Sequence, residues 1–193
     1  MADKAAFRAV LRQQERALSA AERMASDAVL RERFLSLPEL GRAQTVLLFS
    51  GMGMEVDTRP LLDTLYGGGK TVLLPCCLPG NGMEARRYVP GRLVRHCYGM
   101  MEPEAGCEVV EKAEIDLILV PALCYDRSCF RMGRGGGYYD RYLADFGGYT
   151  VGLCRDALLC DAVPREAWDR PVELVLTETQ RMEENRRHGP FYD

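Results

Sequence analysis

Five short apolar runs set the strongest limit on what this chain can fold into. Thr45–Ser50 (TVLLFS), Thr71–Pro75 (TVLLP), Ile115–Pro121 (IDLILVP), Thr150–Leu153 (TVGL) and Val172–Thr177 (VELVLT) are apolar almost throughout, not at alternate positions. A strand with one wet face alternates; a strand that is apolar along its length has both faces covered, as in a parallel sheet. Helical patterns precede or separate these runs. Phe7, Val10, Leu11 and Leu18 recur at i, i+3, i+4 and i+11, and Ser19-Ala20-Ala21-Glu22 reads as a capping box opening a second helix. Leu30, Phe34 and Leu37 give that helix its apolar stripe, and Pro38 ends it. Thr58–Tyr66, with Asp57 or Thr58 as cap and Pro60 in its first turn, and Tyr138–Phe146 are further helices. The alternation predicts an α/β fold: a single-domain, open, mostly parallel sheet with helices on both faces, a Rossmann-like three-layer α/β/α arrangement. Glu84–Glu114 is less legible, with a short strand and a loop reaching over a ligand expected there. The tail from about Met182 is polar and is expected to fray. No repeat or linker divides residues 1–193, so one domain is predicted.

Composition narrows the function. A net charge of −3 gives no electrostatic basis for nucleic-acid binding. The longest apolar candidate, Leu117–Tyr125, is about half of a membrane-spanning helix and contains Pro121. Met1-Ala2-Asp3-Lys4 lacks the apolar stretch of a signal peptide, so a cytoplasmic location without membrane attachment is expected. There are eight cysteines, but no Cys-x-x-Cys pair, and His96 and His188 stand alone in the sequence. That spacing argues against a zinc site and favours reduced, mostly buried thiols. So few histidines also argue against a Ser-His or Cys-His hydrolase.

The motif richest in chemistry is Arg131-Met132-Gly133-Arg134-Gly135-Gly136-Gly137-Tyr138-Tyr139-Asp140. It follows a buried run and opens a helical pattern, the place where α/β proteins bind ligands beyond the carboxyl ends of their strands. Glycines let backbone N–H groups approach an anion, and a helix N-terminus adds free donors. Arg131 and Arg134 can hold phosphate oxygens bidentately, and Asp140 suits a hard cation such as magnesium. A glycine-rich surface turn has the same composition, so both readings stand at this level. The dinucleotide fingerprint does not fit, because its third glycine falls on Tyr138. Gly67-Gly68-Gly69-Lys70-Thr71 ends like a P-loop, but Thr64 stands where a glycine is required and the helix precedes the strand. A helix C-cap is expected there instead. Lys4, Arg8 and Arg12 form a basic stripe that, alone, reads as a solvated face. Glu55 is equally compatible with a loop charge or a ligand contact, and Asp169 is unremarkable in isolation.

Taken in order, Lys4-x-x-x-Arg8, Phe49-Ser50, Glu55-Val56-Asp57-Thr58, Leu74-Pro75, Met101-Glu102-Pro103, Leu119-Val120-Pro121-Ala122, the glycine-rich motif continuing into Asp140-Arg141-Tyr142-Leu143, Val163-Pro164 through Asp169, and Val175-Leu176-Thr177-Glu178 cover most of the chain. This succession resembles the 5-formyltetrahydrofolate cyclo-ligase family, also called methenyltetrahydrofolate synthetase; the glycine-rich motif is its specific part. The resemblance implies a monomeric, ATP-dependent ligase acting on a reduced folate, with Mg2+ as cofactor. It implies that Lys4, Arg8, Arg131, Met132, Gly133, Arg134, Gly135, Gly136, Gly137, Tyr138 and Tyr139 contact ATP. Ser50, Glu55, Arg134, Gly135, Gly136, Gly137 and Tyr138 would border the folate, Arg134 would be catalytic, and Asp140 and Asp169 would hold magnesium. Tyr138 or Tyr139 is expected either to pack on the pterin or to serve as a core aromatic. Two departures stand out: Gly136, where some members carry lysine, leaves more of the charge to Arg134, and Cys124, often glycine in the family, is expected to narrow the pocket. The alternatives are a nucleotide-binding paralogue without catalysis, and a sugar-phosphate isomerase or acyl transferase on a similar sheet.

Overall fold

The computed structural model describes residues 3–97 and 99–184. Three helices come first: α1 (Lys4–Ala17), α2 (Ala20–Leu35) and α3 (Pro38–Arg42). Strand β1 (Thr45–Leu47), helix α4 (Arg59–Gly67) and strands β2 (Thr71–Leu78) and β3 (Gly82–Arg87) follow. After them come β4 (Leu93–Arg95), β5 (Met101–Pro103), β6 (Val109–Val110), β7 (Leu117–Val120), β8 (Cys124–Tyr125) and β9 (Arg131–Met132). Helix α5 (Tyr138–Tyr142) and strands β10 (Tyr149–Leu153), β11 (Leu174–Leu176) and β12 (Arg181–Glu183) complete the described chain.

The main sheet has eight strands in the order β12-β11-β10-β7-β1-β2-β3-β6. The central strands β11, β10, β7, β1 and β2 are parallel, and the flanking β12, β3 and β6 are antiparallel. Successive strand residues enter opposite faces. Val46, Leu117, Leu119, Leu174 and Leu176 join one core with Leu30 and Phe34 of α2, Leu40 of α3 and Leu61 of α4. Leu47, Ile118, Val120 and Val175 join the other with Leu11 of α1 and Tyr142 of α5. The continuous apolarity of the runs thus has the cause predicted for it, and the three layers follow. The capping box of α2 forms with both of its hydrogen bonds, and α4 ends at Gly68 and Gly69 before turning into β2. Lys70 donates to the Ala43 carbonyl, so the P-loop-like cluster is a structural turn at the amino end of β2.

Several expectations need correction. Val10 is exposed on α1, leaving Leu11 to make that helix's buried contact. The last helix stops at Tyr142, well short of Phe146. The segment Glu84–Glu114 holds most of β3 and all of β4, β5 and β6, because short antiparallel strands with half-exposed faces carry little apolar signal. Met182 lies inside β12, paired with Val175, so fraying does not begin there; residues beyond Glu184, His188 among them, lie outside the described residues.

Gly152 lies in β10 where the fully buried Tyr125 ring crosses it: a Cβ there would come within 2.3 Å of the ring. Tyr125 is held by a 2.6 Å hydrogen bond from its hydroxyl to the Val120 carbonyl, so it has little room to retreat. Gly152→Ala is expected to destabilise the protein by about 1–3 kcal/mol through overpacking, read as a lower melting temperature.

Candidate active site

The chain runs from β1 to β2 on one side, then returns to β7 on the other side of β1. That reversal opens a crevice at the carboxyl ends of β1 and β7, the switch point where open parallel sheets place ligands. A cavity of about 350 Å³ lies there, within the range of small-molecule sites. Phe49, Ser50 and Glu55 enter it from the loop after β1, and Pro121 and Ala122 from the turn after β7. Every residue that the sequence suggested for ATP, folate or metal lines this one cavity, from Lys4 and Arg8 through the whole of Arg131–Asp140 to Asp169.

Cations form part of the lining. Lys4, in the first turn of α1, contacts Asp169 at 2.7 Å and Glu166 at 3.4 Å. One helical turn later, the Arg8 Nε donates to the Gly133 carbonyl at 2.8 Å, tying α1 to the glycine-rich segment, whereas Arg12 is exposed. The basic stripe therefore divides into two pocket residues and one solvated residue. Gly135 (φ +107°) and Gly137 (φ +67°) adopt conformations that L side chains rarely take, so the curve of this loop requires glycine. At Gly136 a Cβ would lie 2.8 Å from the Tyr138 ring. Packing of that ring thus fills the space that a side chain at position 136 would need. Helix α5 has only five residues, too few for the dipole expected of a full helix, so loop N–H groups and the arginines must supply most of the attraction for an anion.

The lining also includes the apolar and aromatic side chains of Met52, Met83, Met100, Met101, Pro75 and Trp168. Tyr138 and Tyr139 both face the cavity, and the Tyr139 hydroxyl is buried without a partner in the protein. Burial pushes its pKa up, so it is a neutral hydrogen-bonding group at any physiological pH.

Glu55 also lines the cavity. Its side chain is 7% exposed, accepting from Arg134 Nε at 2.7 Å and from the Met52 N–H at 2.7 Å. Its backbone is held from below by Arg155, which donates to the carbonyls of Met54 at 2.8 Å and Glu55 at 3.4 Å and pairs with buried Asp27 at 2.6 Å. Glu15 of α1 is also buried. Burial raises its pKa, the Arg134 guanidinium opposes that shift, and the Glu55 carboxylate adds to it. Sequence reasoning missed Asp27, Arg155 and Glu15 because an isolated charge in a helix or after a strand looks like any surface charge. The adjacent Trp168 was a usable signal: it is the chain's one tryptophan, yet it is 68% exposed beside the cavity.

Two further readings change. Cys124 does not narrow the cavity; it is buried in β8, opposite Met132, and is absent from the lining. His96 does not stand alone: its ring, the Cys77 thiol and the Glu102 carboxylate offer donor atoms all within 4.8 Å of one another. All eight cysteines are free thiols, most of them buried, as expected.

A parallel sheet that carries at its switch point a cavity lined by cations, carboxylates, a glycine-rich loop and methionines has the form of an α/β protein with a small-molecule site. The model of the 5-formyltetrahydrofolate cyclo-ligase family matches residues 1–178. The chain is 30% identical over 178 residues to the 5-formyltetrahydrofolate cyclo-ligase of Escherichia coli, covering 89% of this chain and 98% of that protein. It is 37% identical over 185 residues to the one of Mycolicibacterium smegmatis, covering 90% and 93%. The NMR structure of Aquifex aeolicus 5,10-methenyltetrahydrofolate synthetase superposes with a TM-score of 0.86 at 30% identity, covering 96% of this chain and 95% of that one. The chain belongs to the 5-formyltetrahydrofolate cyclo-ligase family and is a ligase of folate one-carbon chemistry.

The raised pKa of Glu15 has a consequence for stability. The folded state keeps this proton to higher pH than the unfolded chain, so the group's stabilising contribution is full below the unfolded value of about 4.3 and is lost as pH rises through the folded one. Glu15→Gln removes that loss. Thermal melts across pH are expected to show the variant gaining on the parent protein between about pH 4 and neutrality. A variant that loses ground over the same range would mean that ion pairing outweighs burial at this position.

Proposed function

We propose that this protein closes 5-formyltetrahydrofolate to 5,10-methenyltetrahydrofolate while ATP goes to ADP and phosphate, by way of phosphorylation of the formyl oxygen. Ring closure has to expel that oxygen, a poor leaving group. Its attack on the γ-phosphorus gives an imino-phosphate and releases ADP. The N10 nitrogen then attacks the activated carbon, phosphate departs with the oxygen, and N10 loses its proton. Such chemistry is mostly positioning and charge stabilisation, which suits a site built without histidine or a nucleophilic cysteine.

The observation that carries this reading is the mixed lining of one cavity, which gathers Lys4, Arg8, Arg131 and the glycine-rich loop together with methionines and aromatics, with Glu55 paired to Arg134. Lys4, Arg8, Arg131 and the loop from Met132 to Tyr139 bind ATP. Ser50, Glu55 and the segment Arg134–Tyr138 border the folate. Arg134 is catalytic: it reaches from the loop to Glu55 and offsets negative charge developing on the transferred phosphoryl group. The unpartnered Tyr139 hydroxyl suits a hydrogen bond to either ligand. Asp140 and Asp169 are carboxylates on the cavity wall, each resting against a cation (Arg131 and Lys4), a donor set that fits Mg2+ arriving with nucleotide phosphates. When bound, the ion neutralises phosphate charge. The reading includes a monomeric, cytoplasmic enzyme. In its support, no helix among the described residues is long and apolar enough to cross a membrane.

Incubation with 5-formyltetrahydrofolate and ATP is expected to yield methenyl product, seen by near-ultraviolet absorbance, and phosphate in equal amounts, and only with a divalent metal. Full product formation with a non-hydrolysable ATP analogue would overturn the phosphorylation route. Arg134→Ala is expected to lower turnover by about 10²–10³-fold, the scale of losing one charge-stabilising donor, while Lys70→Ala changes it little. Gly135→Val should abolish ATP binding in a protein that still melts cooperatively, because its positive φ shapes the loop. Trp168 supplies an independent readout: as the sole tryptophan, its fluorescence should change on adding either ligand and stay constant with an unrelated nucleobase.

A further inference from the structure

Strand β2 leaves the sheet's core at Cys77, where β5 packs against it; the Cys77 N–H donates to the Glu102 carboxylate at 3.0 Å. Glu102 is 7% exposed. His96 follows β4 in the turn that leads to β5, a turn closed by hydrogen bonds from the His96 N–H to the Met100 carbonyl and from the Gly99 N–H back to the His96 carbonyl. The Cys77 thiol, a ring nitrogen of His96 and a Glu102 oxygen lie within 4.8 Å of one another. The exposed Cys97 adds a second sulfur, 3.6 Å from His96 Nδ1. We propose that Cys77, His96 and Glu102 form a binding site for a zinc-class divalent cation at the edge of the cavity, with the Cys97 thiolate as fourth ligand.

The donor set decides the class of ion. One imidazole, one carboxylate and two sulfurs match a borderline-soft, tetrahedral cation and not magnesium, which prefers oxygen throughout. Bonds of about 2.0–2.3 Å put tetrahedral ligand pairs at about 3.3–3.8 Å, so the three donors need to close by at most about 1–1.5 Å. His96 lies in the β4–β5 turn, where Gly99 has a φ of +94°. Because Cys77, Met100 and Met101 all line the cavity, a bound ion would fix the β4–β5 turn against β2 along that wall.

The test needs neither folate nor ATP, so its outcome is independent of the catalytic reading. Metal-stripped protein is titrated with Co2+, whose thiolate complexes absorb in the near ultraviolet and, when tetrahedral, in the visible. The expected result is one equivalent bound with both bands, displaced by Zn2+ and unaffected by excess Mg2+. Cys77→Ser and Cys97→Ser should each weaken the thiolate band, and His96→Ala should weaken binding by at least about tenfold, the scale lost even when a ligand's outer partner is removed. Cys160→Ser should leave the titration unchanged. Melts of the metal-free variants separate a lost ligand from a lost fold. Absence of a thiolate band in the parent protein, or a titration that is the same in folded Cys77→Ser and His96→Ala, would overturn the proposal.

Discussion

Burial of both faces of the central strands is the constraint from which the rest of the structure follows. Leu47, Ile118, Leu119 and Val175 are fully buried in the middle of a parallel sheet, so its central strands present neither face to water. Helices must then cover each face, and every crossover returns the chain to the same end of the sheet. The loops after β1 and β7 meet at the carboxyl edge, beside the cavity. Glu55 and the Pro121-Ala122 turn are neighbours for that reason, although 66 positions separate Glu55 from Pro121.

At that edge the charges satisfy one another. Lys4 rests on Asp169, Arg131 on Asp140 and Arg134 on Glu55. Partly exposed pairs of this kind are worth about 0–1 kcal/mol each, so a polyanion can claim the cations, and a dication the carboxylates, at small cost. The pairs hold the side chains near their working positions until ligand charge replaces internal charge. Glu55 is the exception: it is buried, anchored at both oxygens, and carried on a loop whose carbonyls are gripped by Arg155. It is the fixed element of a site whose other charges can be reassigned.

What the sequence disclosed follows from the same physics. Parallel strands buried on both faces announce themselves by composition, and a glycine-rich loop beside arginines announces itself by chemistry, so the layers and the cavity lining were legible. The antiparallel strands of residues 82–110 were not, because half-exposed strands such as Gly82–Arg87, with Glu84, Arg86 and Arg87 in their midst, resemble loops. The supporting charges were hidden for a different reason. Arg155, Asp27 and Glu15 acquire meaning only from burial and from contacts made across more than a hundred positions, as between Asp27 and Arg155. The Cys77–His96–Glu102 cluster was discounted on spacing, which describes sites built on one local turn and is blind to donors brought together by strand packing.

The outer strands have a consequence for how such a chain survives its own synthesis. Parallel pairings join distant segments and form slowly, leaving strand edges open to other chains in the meantime. Here the apolar strands sit inside the sheet, and its borders are a two-residue strand, Val109–Val110, and the charged strand β12. On β12, Arg181 and Glu183 pair with each other at 2.8 Å, and Arg181 reaches Glu39 at 3.3 Å. A neighbouring chain seeking to extend the sheet would meet a charged rim on one side and barely any strand on the other, the pattern by which natural sheets resist edge-to-edge aggregation. Such borders work as gatekeepers for a topology that is slow to assemble.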